Sequence, residues 1–328
     1  MQSAQSGPAR DVLLEIYRKA ALIMCNDERM RAAIRSGKLA IIYYSPRGQE
    51  IIPSAMCANL RNDDYLVTIY RGLHDQVAKG VPLRQLWAEY AGKVTGTCKG
   101  KGGPMHITHP ETGVMVTTGV VGSGLPIANG LALASQMDGN DRVTVVNFGD
   151  GASNIGAFHE SLNMASIWKL PVIFLCQNNL YAEHTSFADG TAVDNVADRA
   201  ASYNMPGVTV NGNDPVAMWS VAKEAVERAR SGGGPTLIEA KTFRFHGHLV
   251  GDPGEYIPKE EMAAALANDP LPLFRQRLID EYGVEEQLLA QMEAEIADAV
   301  EDALNFALAS DYPDVSENRT DILAEVAR

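Results

Sequence analysis

Apolar and polar positions along this chain follow two alternating rhythms. Between 143 and 148, Val-Thr-Val-Val-Asn-Phe is a short, mostly apolar and partly β-branched run, which predicts a buried strand. Gly149-Asp150-Gly151 breaks it. From 155 to 168 the spacing changes to three and four, with Ile155, Phe158, Leu162 and Ala165 on one face, which predicts a helix. Pro171 cannot continue that helix. The run 172–176 predicts a second strand, which Asn178-Asn179 ends in a turn. Strand, helix and strand in this order predict a parallel βαβ unit with a right-handed crossover. The same patterns predict helices over 11–36, 50–59, 82–91, 125–137, 215–231 and 285–308, and strands over 63–70, 208–210 and 236–242.

The βαβ unit has a chemical consequence. Its parallel strands end on one edge of the sheet, which is where open α/β sheets bind ligands. Asp150 and Asn179 stand at those two ends. Both offer oxygen, which suits Mg²⁺ or Ca²⁺, and Mg²⁺ commonly completes its shell with water and ligand phosphates. The glycines beside Asp150 let backbone approach a diphosphate. Taken singly, Gly-Asp-Gly and Asn-Asn are ordinary turn sequences. Together, at this spacing, they resemble the signature by which thiamine-diphosphate enzymes hold magnesium.

Other segments carry candidate chemistry. The stretch 96–106, Gly-Thr-Cys-Lys-Gly-Lys-Gly-Gly-Pro-Met-His, reads either as a phosphate cradle or as a surface loop, and it lacks the Walker spacing. Gly119-Val120-Val121-Gly122-Ser123-Gly124 fails the dinucleotide fingerprint because Ile127 stands where the third glycine belongs, which counts against a nicotinamide dehydrogenase on a Rossmann sheet. Strand 236–242 leads into Phe243-Arg244-Phe245-His246-Gly247-His248. An arginine and two histidines at a strand end suit phosphate better than an HxH metal pair without a third ligand.

With 328 residues, 46% of them hydrophobic, the chain is long enough for one large domain or two small ones. A formal net charge of −13 argues against nucleic acid as a partner. Cys25, Cys57, Cys98 and Cys176 are scattered without CxxC spacing, so reduced thiols and a cytoplasmic location are expected. No apolar run is long enough to span a membrane, and the first ten residues show no signal-peptide core.

The segments GKGGPMH (100–106), GDG…NNLY (149–181), WKLPVIF (168–174), PTLIEAKTFRFHGH (235–248) and GDP (251–253) carry a wider resemblance. The chain resembles the alpha subunit of the thiamine-diphosphate-dependent first component of 2-oxo acid and acetoin dehydrogenase complexes, from about residue 11 to 315. The resemblance implies a parallel-sheet α/β coenzyme-binding fold with flanking helices. Its divisions would be an N-terminal helical arm at 1–40, a diphosphate-binding domain at 41–270 and a C-terminal helical extension at 271–328. It implies thiamine diphosphate and Mg²⁺ as cofactors, the metal being held by Asp150, Asn179 and the main-chain oxygen of Tyr181. Gly151 and Ala152 would lie against the diphosphate, with Tyr70, Arg71, Arg244 and His248 reaching the phosphates. Gly119 and Val121 would contact the aminopyrimidine, and His248 would also face the reacting carbon and move a proton.

The implied partners are a beta subunit, two alpha with two beta, and a lipoyl-bearing acyltransferase component. The implied reaction cleaves acetoin or decarboxylates a 2-oxo acid and passes the acyl unit to lipoamide. SGLPIANG and HGHLVGDP look more like acetoin members; pyruvate and branched-chain donors are the alternatives. Tyr44 and Leu73 stand where many pyruvate and acetoin members have histidines that line the donor pocket, and Leu249 stands where regulated mitochondrial members have a phosphorylated serine.

Overall fold

The computed structural model describes residues 7–321. Positions 1–6 of the expected N-terminal arm and 322–328 of the expected C-terminal extension lie outside the described residues. The larger sheet has six strands, β1 (Tyr65–Ile69), β2 (Val114–Thr118), β3 (Thr144–Gly149), β4 (Val172–Asn178), β7 (Gly207–Asn211) and β8 (Thr236–Lys241). Their order is β2-β1-β3-β4-β8-β7 and every pairing is parallel. A small antiparallel ribbon, β5 (Tyr181–Ala182) with β6 (Thr185–Ser186), follows β4 directly.

Side-chain alternation assigns each face of the sheet its own core. Val145, Ile173, Leu175 and Ile238 join one hydrophobic cluster, with helices α1 (Arg10–Arg35), α2 (Ile51–Cys57), α8 (Pro215–Arg230), α10 (Pro270–Asp280) and α11 (Glu286–Ala309). Their neighbours Val146, Val172, Phe174, Cys176 and Leu237 join the other, with α5 (Gly124–Met137) and α6 (Gly156–Trp168). Covered on both faces, β4 is buried at all seven positions, which is why it reads as a continuous apolar run and not as an alternating one.

The expected α/β class and helical C-terminal region are what the structure has, and the βαβ unit is β3–α6–β4. The helix expected over 11–36 is α1, which buries Leu13, Ile16, Tyr17, Ala20, Ala21 and Ile23. Pro215 opens α8, and the Asp214 side chain caps it by accepting from the Val216 and Ala217 N–H groups. Near the site, β2, which forms a sheet edge, α3 (Leu73–Lys79), which directly follows β1, and the β5–β6 ribbon were not expected. No helix among the described residues is long and apolar enough to cross a membrane, and the four cysteines are unpaired.

The strand order determines where the site falls. From β1 the chain goes to β2 on one side, then returns to β3 on the other. That reversal opens a crevice beyond the carboxyl ends of the strands, the usual ligand position in such sheets.

Candidate active site

Five strand ends converge on that crevice. Tyr70-Arg71 follow β1, Gly119–Val121 follow β2, Asp150–Ala152 follow β3, Asn179 and Tyr181 follow β4, and Arg244 and His248 follow β8. All of these residues line one cavity of about 450 Å³, except Val120, whose side chain is exposed. Tyr44 and Met105 line it too.

The cavity wants an anion. Arg71 and Arg244 are both buried, and neither pairs with a carboxylate among the described residues. Arg71 donates to the carbonyls of Ser45 (2.8 Å) and His248 (3.0 Å). Arg244 donates to the Glu183 carbonyl and to the Tyr256 hydroxyl (2.6 Å), while its buried Nε has no partner in the protein. Burial, and then repulsion from Arg244, lower the Arg71 pKa to about 10, so it stays charged near neutral pH. Two uncompensated buried cations on one wall leave a strong demand for negative charge.

It also wants a cation beside that anion. Asp150 is 2% exposed and its Oδ1 has no protein partner. Burial pushes its pKa from the ordinary 3.8 up to about 6, with Arg244 pulling the other way. A group raised in this way opposes folding once ionised. The cation-free fold therefore loses stability as pH climbs from 3.8 to about 6, by about 3 kcal/mol. A divalent ion at Oδ1 removes that penalty. Asn179 donates Nδ2–H to Gln49 Oε1 at 3.2 Å, which leaves its Oδ1 on the other side, where the Tyr181 N–H also reaches it at 3.3 Å. Leu180 and Glu183 flank Tyr181 with φ of 71° and 55°, strained values for non-glycine residues. Gly151 packs so closely on the ribbon that an added Cβ would stand 2.7 Å from that of Ala182.

Oxygen donors, unpaired buried cations and close-lying glycine backbone fit a magnesium diphosphate. Arg244→Ala is expected to weaken coenzyme binding roughly ten- to hundredfold, the worth of one charge-assisted hydrogen bond. Calorimetric titration measures this, and normal binding with lost turnover would move Arg244 to the donor pocket.

His248 is the imidazole that lines the cavity. Burial, then Arg71 and Arg244, lower its pKa to about 4, so the ring is neutral near pH 7, and its buried Nδ1 has no protein partner. Its ring centroid lies 5.2 Å from that of Tyr44, which in turn lies 4.5 Å from Tyr70. These three rings form an aromatic wall.

One open reading closes and two expectations need correction. The glycine-lysine loop does not cradle phosphate from this cavity with its lysines. Glu89, fully buried, accepts the N–H groups of Cys98, Gly100, Gly102 and Gly103 at 2.7–3.0 Å, and Lys99 and Lys101 turn outward to Asp321 at 2.9 and 2.8 Å. The two histidines of HxH separate: His248 lines this cavity and His246 lines another. Leu73 does not line the cavity; it is buried in the core of α3. Sequence reasoning gave no role to Gln49, Asp252 or Tyr256, although Gln49 orients Asn179. Asp252 accepts the His248 N–H at 2.5 Å and the Tyr256 hydroxyl at 2.9 Å. Gln49 acts on a residue 130 positions away, whereas Asp252 and Tyr256 act within the loop that follows β8.

An α/β sheet whose strand ends gather an acid, an amide, two free arginines and a neutral histidine defines a coenzyme-diphosphate enzyme. The profile of the dehydrogenase E1 component family matches residues 13–316, and the chain belongs to that family, a thiamine-diphosphate-dependent oxidoreductase. It is 41% identical over 310 residues to the alpha subunit of acetoin:2,6-dichlorophenolindophenol oxidoreductase of Bacillus subtilis, covering 94% of this chain and 92% of that one. It is 38% identical over 311 residues to the pyruvate dehydrogenase E1 component subunit alpha of Rhizobium meliloti, covering 94% and 89%. It is 37% identical over 300 residues to the 2-oxoisovalerate dehydrogenase subunit alpha of Bacillus subtilis, covering 89% and 90%.

Proposed function

We propose that this chain is the alpha subunit of an acetoin-type dehydrogenase first component. The observation that carries the coenzyme reading is the convergence of Asp150, Asn179, Arg71, Arg244 and His248 on one cavity. Asp150, Asn179 and the Tyr181 carbonyl would hold Mg²⁺, with Gly151 and Ala152 against the diphosphate and Tyr70, Arg71, Arg244 and His248 around its oxygens. Gly119 and Val121 would take the aminopyrimidine. Bound there, thiamine diphosphate supplies the carbon nucleophile for the donor's carbonyl. This chain's residues do the rest. Arg71 and Arg244 neutralise the phosphates, and Asp150 carries the metal. His248, neutral and with a free Nδ1, accepts or returns a proton at the reacting end.

The acyl unit would pass to the lipoyl group of an acyltransferase component. The partner chain would be a beta subunit, in a two-alpha, two-beta assembly. The surface helix α5 supports such a contact. Gly130 is exposed with nothing within 4 Å of where a Cβ would sit, and Ile127, Met137, Ile167 and Trp168 on α5 and α6 are exposed apolar residues.

Donor choice rests on the relatives and on Tyr44. The test is reduction of an artificial electron acceptor by the chain assembled with its beta partner. Acetoin is expected to give the highest catalytic efficiency, and equal efficiency on pyruvate would remove the preference. Tyr44→His, which restores a titratable ring on the aromatic wall, should raise the pyruvate-to-acetoin efficiency ratio several-fold, a change of about 1 kcal/mol. An unchanged ratio would take Tyr44 out of donor selection.

A further inference from the structure

Behind the loop that carries His248 lies a second cavity, of about 400 Å³. That is large enough for a small ligand. Arg31 and Arg35, one turn apart near the end of α1, line one side together with His246. Phe245, Val250 and Met262 supply apolar surface. Met262 comes from α9 (Lys259–Ala267), so the walls come from three separate parts of the chain.

Arg31 uses its Nε on Asp27 at 2.7 Å, and the same carboxylate accepts the Tyr43 hydroxyl at 2.8 Å. Asp27 is thus held in the interior, 0% exposed, and does not line the cavity. Arg35 is exposed and pairs with no carboxylate among the described residues. Asp252 also lines the cavity, but its oxygens are occupied by the N–H groups of His248 and Gly254 and by the Tyr256 hydroxyl. Burial and the arginines, Arg31 foremost, lower the His246 pKa to about 4, so the ring is a neutral hydrogen-bonding group near pH 7. Guanidinium groups on one side and apolar walls on the other suit a carboxylate with a short hydrocarbon body better than a bare inorganic ion.

We propose that this cavity is a second binding site, for a small organic carboxylate held by Arg31 and Arg35 with its hydrocarbon part against Phe245, Val250 and Met262. The site shares its back wall with the catalytic loop. Asp252 fixes the His248 backbone, and Gly247 packs so tightly on Asp252 that an added Cβ would meet its carboxyl oxygen at 2.6 Å. A ligand seated between α1, α9 and this loop would stiffen residues 246–252 and, with them, the position of His248. Filling the site would therefore modulate the enzyme without touching coenzyme or donor.

The test titrates butanoate into the chain assembled with its beta partner, free of coenzyme and donor, so its outcome does not depend on the coenzyme or donor reading proposed above. Calorimetry gives the affinity, and hydrogen exchange reports on 246–252. Saturable binding that slows exchange there is expected, with Arg35→Ala weakening it about tenfold. Met262→Asp, on a helix with no buried residue, should weaken it independently. Unchanged affinity in both variants would mean that butanoate binds elsewhere and would overturn the site. Inorganic phosphate binding as tightly as butanoate would overturn the carboxylate assignment.

Discussion

Asp150→Ala should abolish the magnesium dependence of coenzyme binding while leaving the chain folded. The buried carboxylate is the only charged oxygen donor among the three proposed metal ligands, Asp150, Asn179 and the Tyr181 carbonyl. Without it, Mg²⁺ would face two neutral oxygens and the diphosphate, and the affinity gained on adding Mg²⁺ should fall by a hundredfold or more, roughly the cost of breaking a buried charge pair. The fold should survive because the Asp150 side chain makes no hydrogen bond to the protein through Oδ1, and its ionisation opposes folding in the cation-free state. Alanine should raise the melting temperature of the coenzyme-free chain at pH 7. As pH falls from about 6 to 3.8 wild type and variant should converge progressively, since the penalty of burying the ionised carboxylate is lost across that window. A wild-type chain that binds the coenzyme equally well with and without Mg²⁺ would refute the assignment.

The second large effect concerns the assembly. The chain alone, saturated with Mg²⁺ and coenzyme, should show no more than a small fraction of the turnover of the mixture with its beta partner. Thiamine diphosphate has two ends that need two pockets. The structure contains one six-stranded parallel sheet with one converging set of strand ends, and the only other sheet among the described residues is the two-stranded ribbon. After β8 the chain supplies helices. The rest of the aminopyrimidine pocket beyond Gly119 and Val121, and a carboxylate to start its proton relay, would therefore come from the other chain. Turnover by the isolated chain equal to that of the reconstituted enzyme would place the whole site on one chain type and contradict this architecture.

Much of this was legible in the sequence, for physical reasons. The β3–α6–β4 unit announced itself because both strands are buried on two faces and the helix between them keeps a clean apolar spacing. What escaped was helix α3, whose interior is polar. His74, Asp75 and Gln76 are fully buried there and bond Gln177, Thr68 and Thr117 from neighbouring strands, while His74 Nδ1 is left without a partner. A helix that buries polar groups through tertiary partners shows no apolar period. Strand β2 was hidden by its length and its flanking glycines. The role of Lys99 and Lys101 stayed open between two readings for a related reason. Glycine and lysine do suit phosphate, but their carboxylate partners, Glu317 and Asp321, lie far along the chain. Gln49 likewise acquires its role only when distant segments meet, while the bonds of Asp252 to His248 and Tyr256 are local but leave no periodic pattern to read.

The most direct test of the central claim is a crystal structure of the assembled enzyme with thiamine diphosphate and Mn²⁺ in place of Mg²⁺, with the metal located by its anomalous scattering. The account predicts one peak within coordination distance of Asp150 Oδ1, Asn179 Oδ1 and the Tyr181 carbonyl, with the diphosphate between it and Arg71 and Arg244. A coenzyme whose diphosphate lies elsewhere, or a metal peak away from Asp150, would contradict it.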